Sequence, residues 1–207
     1  MPENALVYVI DDDEAVRDSL TFLLRSAKLR VETFESAAAF VKLLPNVKPG
    51  CIITDIRMPG MTGIDLLHVL AERKIALPVI VITGHGDVPL AVEAMKSGAS
   101  DFLEKPFDDE TLLRAVQSAL TRSADISTHS AGPEIMRKLE GLTRREREVL
   151  EGLVAGLPNK SIAFDLGISA RTVEVYRANL MTKMGANSFS ELVRMALIGG
   201  VTGAGRR

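Results

Sequence analysis

The first 120 residues alternate between two patterns. Short runs with apolar cores occur at Leu6–Ile10, Val31–Phe34, Cys51–Thr54, Val79–Thr83 and Asp101–Glu104. Between them, apolar residues recur at helical spacing near Ala15–Ala27, Ala37–Leu44, Ile64–Arg73, Pro89–Ser97 and Asp109 to about Ser123. Strict alternation of strand and helix predicts parallel strands joined by right-handed crossovers. The strands are nearly continuous in apolar residues rather than alternating, as expected of a sheet covered on both faces. The expectation is an α/β domain with a doubly wound, five-stranded parallel sheet.

The remainder carries helix punctuation. Thr143 and Glu146 form a capping box ahead of Val149, Leu150, Leu153 and Val154, and Gly156 closes that helix. Asn159 is expected to cap a short helix through Ile162, Ala163 and Leu166, and Gly167 to turn the chain. Ser169 caps a helix from about Ala170 to Met184. Ser188 and Glu191 form a second capping box, opening a last helix through Val193, Met195, Ala196, Leu197 and Ile198. Four short helices make a small all-α bundle with a helix-turn-helix at about 159–178. Between the halves, Thr121–Pro133 is rich in Ser, Thr, Ala and Gly and reads as a linker, either flexible or continued by the preceding helix through Ser127. The domains are therefore placed at 4–120 and 137–202, with a linker at 121–136.

Charge separates the halves further. Residues 1–120 hold 12 Lys and Arg against 18 Asp and Glu, net −6, whereas residues 121–207 hold 13 against 9, net +4. A basic second half suits an acidic partner such as nucleic acid. No run approaches the roughly 20 apolar residues a membrane helix needs, and the first apolar run stops at three aspartates, unlike a signal peptide. The expectation is a cytoplasmic protein with no membrane partner. The single cysteine, Cys51, lies in a strand and reads as core. His68, His85 and His129 are too scattered for a zinc site.

The candidate chemistry lies at the strand ends. Val9 and Ile10 run into Asp11, Asp12 and Asp13; Cys51–Thr54 runs into Asp55; Val79–Ile82 runs into Thr83; Phe102 and Leu103 precede Lys105 and Pro106. In an open parallel sheet, functional groups gather beyond the carboxyl ends of the strands, where strand order reverses. Capping of the next helix explains one aspartate of the first cluster, not three. Adjacent carboxylates repel unless a cation neutralises them, and a hard divalent ion with oxygen ligands, Mg²⁺, suits that need. Lys105 adds a mobile point charge and Thr83 a hydroxyl donor for phosphate oxygens. The set reads as a phosphoryl acceptor: Asp55 the nucleophile, Asp11 and Asp12 the metal holders, Lys105 and Thr83 the phosphoryl ligands. A flavodoxin-like cofactor domain would need a Ser/Thr/Gly-rich loop after the first strand, where this chain has Asp-Asp-Asp-Glu. A dehalogenase-type phosphatase would need an aspartate two residues after the nucleophile, where Arg57 stands.

This order of acid pair, Asp55, Thr83 and Lys105-Pro106 resembles the receiver domain of two-component response regulators, a flavodoxin/CheY-like fold, over residues 4–120. The resemblance implies a further Mg²⁺ contact from the backbone carbonyl of Arg57, a cis Lys105–Pro106 bond and Phe102 as the aromatic switch residue. Many receivers have Tyr there; Phe keeps a rotamer switch and removes the hydroxyl. It also implies that the domain is not an enzyme beyond assisting its own phosphoryl transfer and dephosphorylation.

In the second half, Ile162, Leu166, Ile168, Val173 and Leu180 face inward at helical spacing and leave Arg171, Thr172, Glu174, Val175, Arg177, Ala178 and Asn179 largely outside. Such a face can hold phosphates and read base edges or thymine methyls in the major groove. The alternative is a bundle that docks protein. The stretch from Leu142 to Ala196, with LTRREREVL, GLPNKSIAFDLGIS and RTVEVYRANLMTKMGANS, resembles the LuxR-type DNA-binding domain. That resemblance makes the helix from Ala170 to Met184 the recognition helix, with Lys160, Arg171, Thr172, Arg177 and Lys183 as phosphate or base contacts. Glu174 either accepts from a cytosine amino group or ties down Arg171 or Arg177, and the last helix becomes a dimer contact.

A receiver followed by a LuxR-type domain is similar to the FixJ/NarL class of transcription regulators. Membership implies activation of nitrogen-fixation genes or control of another pathway, a FixL-like sensor histidine kinase, double-stranded promoter DNA and RNA polymerase as partners, and a homodimer on phosphorylation. Val92 and Lys96, one turn apart, are the candidate dimer face.

Overall fold

The structure is a computed structural model, described over residues 5–84, 88–122 and 132–203. The first half runs β1 (Leu6–Ile10), α1 (Glu14–Ser26), β2 (Arg30–Phe34), α2 (Ala37–Leu43), β3 (Gly50–Asp55), α3 (Gly63–Glu72), β4 (Val79–Thr83), α4 (Val88–Lys96), β5 (Asp101–Glu104) and α5 (Asp109–Arg122). The five strands form one parallel sheet in the order β2-β1-β3-β4-β5, the doubly wound arrangement that the alternation predicts. β1, β3 and β4 are buried along nearly their whole length, because helices cover both faces.

Helix starts follow the expected chemistry. The Asp13 carboxylate accepts from Ala15 N at the start of α1, and Thr62 and Asp65 close a complete capping box on α3. Val7, Val9, Cys51, Ile53, Ile80 and Ile82 pack with Leu20, Leu24, Leu112 and Val116 of α1 and α5. The Cys51 thiol has no exposure, and burial pushes its pKa up to about 12, which makes it inert core. Elsewhere, Tyr8, Phe34 and Phe40 form an aromatic cluster, with Phe40 centred 5.2 Å from each of the other two rings.

The second half holds five helices among the described residues: α6 (Gly132–Glu140), α7 (Arg144–Val154), α8 (Asn159–Leu166), α9 (Ala170–Met184) and α10 (Phe189–Ile198). α6 begins within the sequence expected to be linker, at residues 132–136; its Ile135 and Leu139, four residues apart, are buried in the core with Leu150, Leu153, Ile162, Val173, Leu180 and Leu192. Thr121 and Arg122 end α5, and residues 123–131 lie outside the described residues, as therefore does the expected helical continuation through Ser127. By contacts the chain divides into two compact units, the sheet and the helical half.

Two expected caps differ. The Asn159 side chain does not cap α8, whose N-cap is Pro158; its oxygen instead accepts from Arg177 Nη1 at 3.3 Å. At α10, Ser188 accepts from Glu191 N, but the Glu191 carboxylate reaches back to Asn187 N rather than to Ser188, so the box is half closed. Gly167 and Gly185 stand in the left-handed conformation at φ 63° and 64°, ending α8 and α9.

Gly50 faces Leu6 of β1 across the ladder, and a Cβ there would overlap the Leu6 carbonyl oxygen. Gly50→Ala should therefore destabilise the sheet unit by about 2 kcal/mol or more, read as a lowered urea midpoint for that unit.

Candidate functional site

The sheet order places the reversal point between β1 and β3. One residue beyond the register pair Ile10 with Thr54, Asp11 and Asp55 stand at the ends of those neighbouring strands. Asp11 is 3% exposed and Asp55 half-buried. From the far edge of the sheet, Lys105 reaches across: its Nζ lies 3.0 Å from Asp55 Oδ1 and 3.4 Å from Asp11 Oδ2. One ammonium therefore bridges two carboxylates brought together from β1 and β3.

The remaining carboxylate oxygens are held by backbone. Asp13 N donates to Asp11 Oδ1 at 2.9 Å, and Arg57 N donates to Asp55 Oδ2 at 2.6 Å. Burial raises the pKa of Asp11 above the ordinary aspartate value, and Asp55 adds to that, against the lowering effects of the Asp13 N–H and Lys105. For Lys105, burial favours the neutral amine, but the hydrogen bond and charge of Asp55 together with Asp11 outweigh it and raise the pKa. The Lys105–Pro106 bond is cis. Thr83 is 2% exposed at the end of β4, with its hydroxyl 3.4 Å from the Gly84 carbonyl, the long limit of a hydrogen bond. Phe102 lies half-buried on β5, opposite Val81.

Asp11 is buried and Asp12 beside it exposed, and hard oxygen donors of this kind suit a divalent cation such as Mg²⁺. Among the described residues no three acid, His or Cys side chains converge, so water and the Arg57 carbonyl would complete the coordination. His68 Nε2 lies 3.1 Å from Ser97 Oγ, while His85 and His129 are outside the described residues. Sequence patterning missed Arg17, whose Nη1 donates to the carbonyls of Asp11 at 2.8 Å and Asp12 at 3.0 Å.

Of the candidate dimer pair, Lys96 is exposed and Val92 is 1% exposed. Apolar residues at 91, 92, 94 and 95 all bury, so the covered arc of α4 is wider than one stripe.

On α9, the exposed residues Arg171, Glu174, Val175, Ala178, Asn179 and Thr182 form one stripe at helical spacing. Lys160 is exposed near the start of α8. Arg171 pairs with Glu174 at 3.1 Å, one of the two ties considered for that acid. Thr172 is half-buried, its hydroxyl 2.8 Å from that of the capping Ser169. Arg177 and Lys183 have partners within the unit. The Arg177 guanidinium lies 4.5 Å from the centre of the Phe189 ring and also bonds Asn159, tying α9 to α10 and α8. Lys183 Nζ lies 2.8 Å from the buried Glu146, whose carboxylate also closes the capping box of α7.

Comparison with known proteins agrees with both halves. A model of the response regulator receiver domain matches residues 7–117, and one of bacterial regulatory proteins of the luxR family matches residues 140–196. The transcriptional regulatory protein FixJ of Azorhizobium caulinodans is 59% identical over 205 residues, covering 99% of this chain and 97% of the relative. FixJ of Bradyrhizobium diazoefficiens is 53% identical over 196 residues, covering 94% and 96%. The crystal structure of full-length FixJ from B. japonicum is similar at 52% identity and a TM-score of 0.57, covering 95% of this chain and 97% of that one.

Glu146 yields a pH prediction. The Lys183 hydrogen bond, with those from Thr143, lowers its pKa below the ordinary 4.5. The folded state therefore favours the ionised form; this stabilisation is complete above about pH 4.5 and is lost as pH falls through the folded value. Glu146→Gln should weaken the helical unit by about 1 kcal/mol at neutral pH, since hydrogen bonds to charged groups exceed neutral ones by that order. The difference from the parent protein in denaturation midpoint should shrink below the ordinary glutamate range.

Proposed function

Because the chain belongs to the FixJ-type response regulators, which join a receiver domain to a LuxR-family DNA-binding domain and regulate transcription, we propose that phosphorylation of Asp55 controls its binding to promoter DNA. The observation that carries this reading is the Lys105 ammonium lodged between Asp11 and Asp55. A charged partner that can contact phosphoryl oxygens is already within reach of the acceptor carboxylate.

A sensor histidine kinase supplies the group. The Asp55 carboxylate oxygen attacks phosphorus, the phosphorus–nitrogen bond of the phosphohistidine breaks, and the electron pair returns to the imidazole. Mg²⁺, held by Asp11, Asp12, Asp55 and the Arg57 carbonyl, would neutralise charge on the phosphoryl oxygens. Lys105 turns from bridging carboxylates to holding a phosphoryl oxygen. Thr83 turns its hydroxyl from the Gly84 carbonyl toward another, and Phe102 follows into the space released. The phosphate shifts the population only by contacts that differ between the two states. The shift opens a dimer face that includes Lys96, with Val92 joining it only if α4 moves. The last helix, whose Ile198 is 51% exposed, provides a second dimer contact.

In the helical unit, Lys160 and Arg171 hold DNA phosphates while Thr172, Glu174, Val175 and Asn179 face base edges in the major groove. Arg177 and Lys183 act on that surface by fixing α9. We place the receiver at residues 4–120 and begin the DNA-binding unit at α6, so its start moves from residue 137 to 132. The likeness to FixJ proteins supports a FixL-like kinase, activation of nitrogen-fixation genes through RNA polymerase, and action in the cytoplasm.

Two outcomes check the proposal. Asp55→Asn should abolish phosphate incorporation from acetyl phosphate and Mg²⁺, seen by intact mass; undiminished labelling would remove Asp55 as the acceptor. Lys160→Ala should weaken binding to all duplexes and reduce the slope of log affinity against log salt by about 1. An unchanged slope would exclude a phosphate contact there.

A further inference from the structure

We infer that Arg17 is a positioning residue that sets the acid pair of the phosphoryl site for a divalent cation before the cation arrives. The inference rests on reading that site as a Mg²⁺-dependent phosphoryl acceptor. Arg17 stands on the first turn of α1, half-buried, and its Nη1 bonds two successive backbone carbonyls, those of Asp11 and Asp12.

The peptide plane makes this grip consequential. The carbonyl of Asp12 and the N–H of Asp13 belong to one rigid planar unit. Arg17 holds the carbonyl end of that unit at 3.0 Å, and the N–H end donates to Asp11 Oδ1 at 2.9 Å. Fixing one end aims the other, so the guanidinium orients the Asp11 carboxylate through a plane it never leaves. In the same way the Asp11 carbonyl and the Asp12 N–H share a plane, and holding both planes that meet at the Asp12 Cα, at 2.8 and 3.0 Å, fixes the direction in which the Asp12 side chain departs. The segment is pinned from both sides: Asp11 N donates to the Phe34 carbonyl at 3.2 Å, and Asp13 caps α1. Between these pins, Arg17 is the side chain bonded to both intervening carbonyls.

Charge alone works in the opposite direction. A guanidinium near a cation site repels the cation, so removing it should tighten binding if charge were its whole contribution. Loss of positioning should weaken binding, as removal of outer-sphere partners of metal ligands does by roughly tenfold to a hundredfold. The sign of the change therefore separates the two effects.

The test uses the full chain without a phosphodonor. Mn²⁺ binding is followed by loss of the free-ion EPR signal, with Mg²⁺ as competitor, for the parent protein, Arg17→Met, Arg17→Lys and Asp12→Ala. Arg17→Met should raise the Mn²⁺ and Mg²⁺ dissociation constants about tenfold, with a thermal midpoint in EDTA close to that of the parent. Arg17→Lys, which keeps a donor and the charge, should recover most of the affinity. If Arg17→Met does not fold, Arg17→Gln takes its place with the same expected direction. Unchanged or tighter binding without the guanidinium would overturn the inference. A parent protein whose Mn²⁺ binding is indifferent to Asp12→Ala would instead overturn the reading of the site on which the inference rests.

Discussion

Lys105 holds together two carboxylates that would otherwise drive each other apart. Both carboxylates lie within 3.4 Å of the same ammonium and repel each other, and Asp11 is additionally stripped of water by burial. The sheet order makes this arrangement possible. β1 and β3 pair side by side, so their terminal acids are neighbours, while β5 delivers the ammonium from beyond β4. Transfer of a phosphoryl group would turn the Asp55 carboxylate, charge −1, into an acyl phosphate of about −2, adding about one negative charge and a set of strong acceptor oxygens beside Lys105. The existing contacts cannot stay as they are after that addition. On the proposed mechanism Lys105 and Thr83 would then take phosphoryl oxygens as partners, and that exchange of contacts is the physical basis for a switch.

The DNA-binding half solves a different problem, presenting a fixed surface. The exposed stripe of α9 carries Arg171, Glu174, Val175 and Asn179, and its orientation depends on side chains that sequence alone assigned to DNA. Lys183 anchors the last turn of α9 to Glu146 at the start of α7, while Lys138 Nζ donates to the Met184 carbonyl at the same helix end. A cation there suits the negative end of the helix dipole. Arg177 ties the middle of α9 to Asn159 and Phe189. Arg177 and Lys183 thus each hold a partner on another helix of the unit and help fix the orientation of α9.

Much of this was legible in the sequence because it depends on local pattern. Apolar runs ending in Asp11, Asp55, Thr83 and Lys105 located the sheet and the edge at which Lys105 meets Asp11 and Asp55, and Thr143 with Glu146 marked a helix start that the structure keeps. What stayed hidden depends on tertiary context. α6 contributes only Ile135 and Leu139 to the core, too few apolar positions to stand out behind Gly132 and Pro133. Asn159 has the right chemistry for a cap, yet Arg177, eighteen residues away, claims its oxygen. Arg17 binds backbone carbonyls, which leave no mark on residue identity.

The most direct test of the coupled account is the affinity of the full-length protein for a labelled promoter duplex, measured with and without stoichiometric phosphorylation of Asp55 by acetyl phosphate and Mg²⁺. The account predicts tighter binding by roughly tenfold or more, within the range of ordinary coupling between two sites, together with conversion from monomer to dimer. Equal affinity and unchanged oligomeric state with Asp55 fully phosphorylated would contradict it.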